Sequence, residues 1–597
     1  MGMCQLICAQ NDSIHRLEEV IILTDVKLKN FSDSQSVSKI TDSVIMKSKP
    51  SLTSLLNYNS VIYFKENGQG MASSPSFRGT TAQQTAVIWN GININSQFNG
   101  QTDFNIISTK DFNSIAIRAG GGSAIYGSSA IGGSIHLNTD LVFKNQFSNA
   151  LQLNYGSFDT FCLNYKMQLA SKKTSAQISI SRNNSHNNYP YLETNKKNEN
   201  GQYENTSFNF SIGHKFNQNN NLKFYSTVYN SNRHFSGTLV APSKSKYLDF
   251  TIRNLLEYTN YHNQFTSKIR VAFLEENYKY FENFLSSIFS DATAKTCIAK
   301  YDLNYKINNK IQVNTVFDFT TTKGFGASIA STTRNIQSAT LLLKHTVSSK
   351  FLYEINLRKE LTNNYKSPFL FSFGTNYKPT KWYILKMNAS RNFRIPTFND
   401  LYYQGSGNSD LKPESSYQAE IGHEITYKKL TFSFTNYYIK IQDLLRWSPN
   451  SGGNWTPNNV PKAISYGAEI LLDYKLITGH NKLNVTTTYA YTISEDEKTK
   501  KQLIYVPFHK FTSAVSYSFK KFSAYYQYLY NGKVYTSSDN YYSIPFYLVS
   551  NTGIGYTIGK NLKIGIDVLN LFNENYQNVV MRPMPGRNYN FNITLNF

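Results

Sequence analysis

The sequence predicts an all-β transmembrane barrel with a smaller globular α+β domain ahead of it. Three observations predict this. From residue 141 to 597 apolar residues recur with period two: Phe161, Leu163, Tyr165, Met167 and Leu169 alternate with Cys162, Asn164, Lys166 and Gln168, and Leu562, Ile564, Ile566 and Val568 with Lys563, Gly565 and Asp567. Aromatic residues make up 15% of the 597 residues against 17% for charged ones, which suits strands with one face on lipid and aromatic girdles at both interfaces. Between Ser76 and Thr139 that alternation gives way to short β-branched runs cut by glycine turns, the pattern of a tightly packed globular unit.

Composition narrows the class further. Mean hydropathy is −0.42 and no run approaches the ~18 apolar residues of a spanning helix. The net charge of +23 comes from Lys and Arg scattered through strands and loops, a distribution that argues against nucleic acid and for an anionic lipopolysaccharide surface. Cys4, Cys8, Cys162 and Cys297 have neither disulfide nor metal spacing, and the ten His join no Ser/His/Asp arrangement. Neither an enzyme nor a bound cofactor is expected.

Taken in order, residues 1–9 end Leu6-Ile7-Cys8-Ala9 and read as the remnant of a secretory signal, so export is expected. Within residues 10–49 the run Leu17-Glu18-Glu19-Val20-Ile21-Ile22-Leu23-Thr24 has the length of one strand and is too isolated to bury itself, and 31–49 is polar and linker-like. The globular domain, 50–140, opens with the helix-compatible Pro50 to Leu56, then a strand from Asn57 to Tyr63 and a glycine-bearing loop from Phe64 to Met71. Ser76-Phe77-Arg78-Gly79, a strand from Ala86 to Trp89 with its Asn90-Gly91 turn, a second loop from Ser96 to Asp103, and the turn Arg118-Ala119-Gly120-Gly121-Gly122 follow, and Ser123-Ala124-Ile125-Tyr126-Gly127 through Gly132-Gly133 closes the unit.

That succession of Phe-Arg-Gly, a strand ending in Asn-Gly, and Ser-Ala-x-Tyr-Gly-x-x-Ala-Ile-Gly-Gly resembles the plug domain of TonB-dependent outer-membrane receptors. Farther on, Phe393-Arg394-Ile395-Pro396-Thr397-Phe398-Asn399-Asp400-Leu401-Tyr402, followed by Leu411-Lys412-Pro413-Glu414, is similar to a paired motif in the barrels of these receptors. So is Pro585-Gly586-Arg587 before a last strand with Tyr589, Phe591, Ile593, Leu595 and Phe597 on one face. The resemblance runs from Leu17 to Phe597. Gly120-Gly121-Gly122 departs from the usual Arg-Gly-Pro turn, Ile395 and Ser409 depart from the commonest residues, and the absence of His between Phe393 and Leu411 demotes haem.

The resemblance implies about 22 antiparallel strands around the plug, or about 21 residues per strand and loop, ample for strands of about ten. It implies that Leu17 to Thr24 is the TonB box, which adds as a strand to TonB and so to its inner-membrane energising complex. It places Gln69, Met71, Ser96, Gln97, Asn99, Gln101 and Asp103 at a ligand-binding outer apex. Arg78 and Arg118, enclosed in the lumen, are expected to hold the plug by pairing with barrel acids. The chain looks most similar to the cobalamin (vitamin B12) receptor branch, so cobalamin leads as the imported nutrient, with a ferric siderophore or other ferric chelate as the alternative. A passive porin or adhesin is the rival of a different class, and it needs no plug. The expected setting is the cell outer membrane, as a monomer among lipid and lipopolysaccharide, with a surface lipoprotein as a further partner.

Overall fold

The computed structural model describes residues 26–40, 44, 45, 48–362, 364–449 and 455–597. The signal remnant at 1–9 and the box at Leu17 to Thr24 lie outside the described residues. From Gln146 onward, 22 strands pair with their neighbours into one closed antiparallel barrel. Closure is made by the last strand, Asn588–Asn596, on the first, Gln146–Gly156, in the register Asn590 to Gly156 and Asn596 to Ala150. Closing the sheet leaves no unpaired edge, the condition for crossing a bilayer with strands.

The connections sort the two ends. At one end ten turns of two to five residues join the strands; at the other, eleven connections run from 3 to 19 residues. The chain leaves the N-terminal domain and finishes at Phe597 on the short-turn end. Along each strand the alternation seen in the sequence becomes a division of faces: Phe208, Phe250, Phe317, Phe373 and Ile566 project outward, while Ser175, Gln177, Ser179 and Ser181 are buried inward.

Inside the barrel sits the plug. Its five-stranded sheet has the order Val37–Ile40, Ser114–Ala119, Gly133–Asn138, Thr85–Trp89, Ile92–Asn93, and only Thr85–Trp89 and Gly133–Asn138 run parallel. The helix Leu52–Asn59 begins where Ser51 Oγ accepts from Ser54 N, and it buries Leu52, Leu55 and Leu56 against Val87, Trp89, Ile115, Ile135 and Leu137. Barrel residues Tyr225, Leu255 and Ala272 complete the same core. Thus the central plug strands are covered on both faces, which is why they read as continuous apolar runs and not as alternating ones.

Two local expectations are corrected. The strand Val37–Ile40 lies in the stretch expected to be linker, yet it pairs antiparallel with Ser114–Ala119, so the plug sheet extends N-terminal to residue 50. The segment Asn57 to Tyr63, expected to be a strand, continues the helix to Asn59. The strand starts only at Tyr63 and forms the hairpin Tyr63–Glu66 with Ser73–Ser76. At the triple-glycine turn, a Cβ on Gly121 would stand 1.9 Å from Gln418 Nε2 of the barrel wall and 2.2 Å from Asn392 Nδ2, so the ends of those two side chains would have to shift to admit one.

The plug and its seat in the barrel

The turn Phe77 to Thr80 is held to the wall by hydrogen bonds made by both the Arg78 side chain and the turn's carbonyls. Arg78 is 3% exposed, and its Nε and Nη2 donate to Glu469 Oε1 and Oε2 at 3.1 and 2.8 Å, while Nη1 donates to Glu420 Oε2 at 2.5 Å. Its guanidinium also lies 4.6 Å from the centre of the Tyr437 ring. Burial works against the charge, but the two carboxylates outweigh it and hold the guanidinium pKa above its usual value. Arg78 takes φ +55 and Gly79 φ +68, and their carbonyls accept from Ser465 and Ser494 hydroxyls. The left-handed backbone at a non-glycine residue is strained. It turns both carbonyls and the side chain outward together, onto four consecutive strands that contain Glu420, Tyr437, Glu469 and Ser494.

Arg118 is engaged differently. It is 1% exposed and donates to Ser32 Oγ and to the carbonyls of Gly120 and Gly121, with its guanidinium 5.7 Å from the Tyr126 ring centre. These contacts tie the N-terminal turn, the glycine turn and the helix Ser123–Tyr126 to one another within the plug.

The two motifs singled out in the sequence, about 270 positions apart, meet in space. Ser123 N donates to Asn392 Oδ1, Ser129 N to the Phe393 carbonyl, and Ile395 N to Ser128 Oγ. Thr397 and Asp400 cap the short helix Phe398–Tyr402 reciprocally, which explains the Thr-x-x-Asp spacing. Glu414, completely buried, accepts from Gln84 Nε2, Arg394 Nη2 and Leu445 N at 2.8, 3.0 and 2.7 Å, joining the plug to two barrel strands through one carboxylate.

The seven residues expected at the apex all lie toward the long-loop end, but they are not alike. Gln69 O accepts from Asn187 Nδ2, and Met71 is 1% exposed beneath Ser236 and Arg582 of overlying loops. Asp103 accepts from Ser73 N and from Arg233, which also pairs with Asp249. Ser96 Oγ accepts from Phe98 N, Gln101 Oε1 accepts from Ser74 Oγ, and Gln97 N donates to Glu276 Oε1 at 2.6 Å. Asn99 alone of the seven is exposed. Between them Phe98 packs on Tyr278 and Phe398, with ring centres 5.4 and 6.5 Å away, so this loop rests on the capped helix of the second motif.

Several seat residues were not foreseen. Glu354 accepts from Asp33 N, Ser34 N and Ser34 Oγ. Asp111 accepts from the hydroxyls of Ser179, Ser181 and Ser207 at 3.1, 2.7 and 2.7 Å, and burial raises its carboxyl pKa. Lys510 Nζ donates to the carbonyls of Asn57, Ser60 and Ile62, closing the end of the helix Leu52–Asn59. Each lies on the lumen parity of its strand or in a plug turn, a weak signal shared with dozens of other polar residues. Among the described residues no three His, Cys, Asp or Glu side chains gather in a metal-holding group.

A closed 22-strand barrel filled by an ion-paired plug with its own sheet defines the class of plugged outer-membrane transporters. The comparisons with known proteins agree. The family model "TonB dependent receptor-like, beta-barrel" matches residues 145–571, and "TonB-dependent Receptor Plug Domain" matches 29–134. The chain belongs to the TonB-dependent receptors of the outer membrane, which are transporters and not enzymes. Its short turns are therefore periplasmic and its long loops face outward. It is 25% identical over 523 residues to the vitamin B12 transporter BtuB of Photobacterium profundum, covering 85% of this chain and 84% of that one. It is 24% identical over 527 residues to the BtuB of Vibrio vulnificus, covering 86% and 83%. Among solved structures it is similar to the siderophore receptor PirA of Acinetobacter baumannii, with TM-score 0.80 at 14% identity over 96% of this chain and 99% of the other. The ferric enterobactin receptor PfeA of Pseudomonas aeruginosa gives TM-score 0.79 at 16% identity, with the same coverage. These structural likenesses speak to the fold alone.

Proposed function

We propose that this receptor imports cobalamin, bound at the outer apex of the plug and released inward when TonB draws on Leu17 to Thr24. The observation that carries the reading is the alignment of vitamin B12 transporters with about 85% of the chain, plug and barrel together. A ferric siderophore is the second reading, favoured by the fold neighbours being siderophore receptors.

The apex is suited to a large polar ligand. Gln69, Ser96, Gln97, Asn99 and Gln101 present amides and a hydroxyl beside Met71 and Asp103, and the side chain of Asn99 stands clear of the packed surface. From this loop two links run to the wall, Gln97 to Glu276 and Asp103 to Arg233, and a third runs through Phe98 to the helix Phe398–Tyr402. A ligand that favours one arrangement of these contacts shifts the plug toward it, the only way binding outside can be felt inside. Arg78 then serves as the anchor that a pull from the periplasm has to release or turn about, and Arg118 keeps the N-terminal turn joined to the rest of the plug. Outside the barrel, the basic chain suits a lipopolysaccharide leaflet, and a surface lipoprotein is a candidate cap for the long loops.

Growth of a deletion strain on limiting cobalamin, compared with limiting iron, tests the nutrient. Loss of growth restricted to the cobalamin medium supports the proposal; loss restricted to iron limitation replaces it with the siderophore reading.

A further inference from the structure

At the plug hairpin Tyr63–Glu66 and Ser73–Ser76 three outer connections meet, 497–508, 532–546 and 570–587. Tyr63 is buried among Val534, Ile544 and Tyr505 of the first two. Lys65, two residues on and so on the same strand face, sets its ammonium 4.2 Å from the centre of the Tyr505 ring. The Tyr505 hydroxyl meets the main chain of Val580, two residues before Arg582 in the third connection. Tyr505 takes φ +57, with its N–H donated to the Tyr535 carbonyl, and Met581 takes φ +60, with the adjoining Pro583 carbonyl accepting from the buried Tyr189 hydroxyl. Such left-handed backbone at non-glycine residues persists only where its surroundings hold it. A cation of the plug and a cation of an outer loop are thereby gathered around one tyrosine.

Neither cation is neutralised where it stands. Among the described residues neither Lys65 nor Arg582 has a carboxylate within ion-pair distance. Two plug acids of the same region are already engaged: Glu66, on the opposite face of the strand, accepts from Asn105, and Asp103 pairs with Arg233. Burial and the neighbouring Arg582 both lower the Lys65 ammonium pKa, as befits a cation short of negative charge. Arg582 commits Nη1 to the Ser236 carbonyl and the Met71 sulfur, while its Nε and Nη2 make no hydrogen bond among the described residues. That edge of a guanidinium is the one that meets two oxygens of a phosphate or carboxylate in a fork. Both side chains are half-buried, and Ile504, Val580 and Met581 beside them are exposed, so the charges sit within an apolar rim.

We propose that Lys65 and Arg582 together bind an anionic oxygen group of the nutrient, the phosphate of cobalamin or the acidic oxygens of a ferric chelate. This rests on the reading that the nutrient is held at the outer apex, and it supplies there the charge that the amides of Gln69, Gln97 and Asn99 lack. Because one cation belongs to the plug and the other to a loop, an anion that joins them ties the loop 570–587 to the plug in the occupied state.

The test is calorimetric titration of the purified full-length receptor in detergent with two probes, cobalamin and cobinamide, the latter the same corrin without the nucleotide and its phosphate. The parent is expected to bind cobalamin the more tightly. Lys65→Met and Arg582→Gln should each weaken cobalamin binding roughly tenfold or more, as loss of a charged hydrogen bond requires, and leave cobinamide affinity at the parental value. Lys65→Arg, which keeps the charge, retains the preference. Unchanged cobinamide affinity reports an intact apex in each variant, and heat-modified gel mobility reports barrel assembly. Equal affinity of the parent for the two corrins, or cobalamin affinity unchanged in both Lys65→Met and Arg582→Gln, overturns the proposal. A parent that binds ferric enterobactin and no cobalamin overturns the nutrient reading instead. The same variants titrated with that chelate then decide the anion site: a tenfold loss in both supports it, and parental affinity in both overturns it.

Discussion

Arg78 and Glu469 stand 391 positions apart in the chain and face each other through two parallel N–H···O bonds, of 3.1 and 2.8 Å, inside the barrel lumen. Such a fork fixes orientation as well as distance, and Glu420 adds a third bond from the side. Removing the guanidinium leaves two carboxylates buried side by side. Arg78→Ala is therefore expected to destabilise the seated plug by about 3 to 5 kcal/mol. Barrel assembly is unaffected, because its strands pair without the plug. Limited proteolysis should show a plug cut far faster than in the parent around an intact barrel, and Arg78→Ala combined with Glu469→Gln and Glu420→Gln should recover part of the loss. Equal plug protection in parent and Arg78→Ala removes the anchor from the mechanism.

A second expectation concerns pH. Glu66 is buried in the plug, with Asn105 Nδ2 donating to it at 3.3 Å, and burial pushes its carboxyl pKa up to about 6 from 4.5. A raised carboxyl pKa means that the folded plug keeps this proton at pH values where the unfolded chain has lost it. Stability from this group is thus highest below about 4.5 and falls as pH rises to about 6, by roughly 2 kcal/mol in all. Glu66→Gln abolishes that part of the slope. Denaturant titrations of both proteins at pH 4.5 and 7 read the difference directly, and parallel pH profiles contradict the assignment.

Lys510 offers a packing test. It is 2% exposed and gives the carbonyls of Asn57, Ser60 and Ile62 their partner. Lys510→Met keeps much of the stem and orphans those carbonyls, at about 1 to 3 kcal/mol for each that stays dry. Amide exchange in the helix Leu52–Asn59 should accelerate while exchange in the sheet strand Gly133–Asn138 changes little.

How much of this was legible beforehand follows from where physical constraint is concentrated. The barrel strands announce themselves because lipid demands apolar side chains at every second position, as at Phe208, Phe210 and Ile212. The motifs Phe77-Arg78-Gly79 and Phe393 to Tyr402 were legible because caps and tight turns restrict residue type, as at Gly79 and in the Thr397 and Asp400 pair. Val37–Ile40 was not, since an edge strand with Ser38 and Lys39 at its centre is held by main-chain pairing to Arg118 and its neighbours. The carboxylates of the seat, Glu354, Glu414, Glu420 and Glu469, share their parity with every other polar residue of the lumen. Only the fold shows which of them face the plug.

For the TonB box the expectation is a matter of main-chain pairing. If Leu17 to Thr24 adds to TonB as a strand, Val20→Pro and Ile22→Pro each remove a backbone donor and distort the extended chain. Uptake should cease in both while equilibrium binding of ligand to purified receptor is unchanged. Normal uptake by both variants would place the coupling segment elsewhere.

The apex loop supplies the most direct test of ligand recognition, and the structure ranks its residues. Gln97 engages the wall through its main-chain N–H to Glu276, so Gln97→Ala leaves that link in place and removes only the side-chain amide, which donates to the Asn95 carbonyl at 3.3 Å. Gln101 Oε1 is already taken by Ser74 Oγ. Asn99 is exposed, and its Oδ1 accepts from Gln101 N. A ligand amide or phosphate that meets Asn99 desolvates it, and deleting the side chain then leaves the ligand group unsatisfied at a cost of ~1 to 3 kcal/mol, or roughly a 5- to 150-fold loss of affinity. The expected order of effect on cobalamin binding is therefore Asn99→Ala first, then Gln97→Ala, then Gln101→Ala, with barrel assembly normal in all three. Calorimetric binding to purified variants measures it. Unchanged affinity across the series moves recognition to the outer loops around Tyr189 and Arg582, and a parent that binds a ferric chelate but no cobalamin moves the nutrient itself.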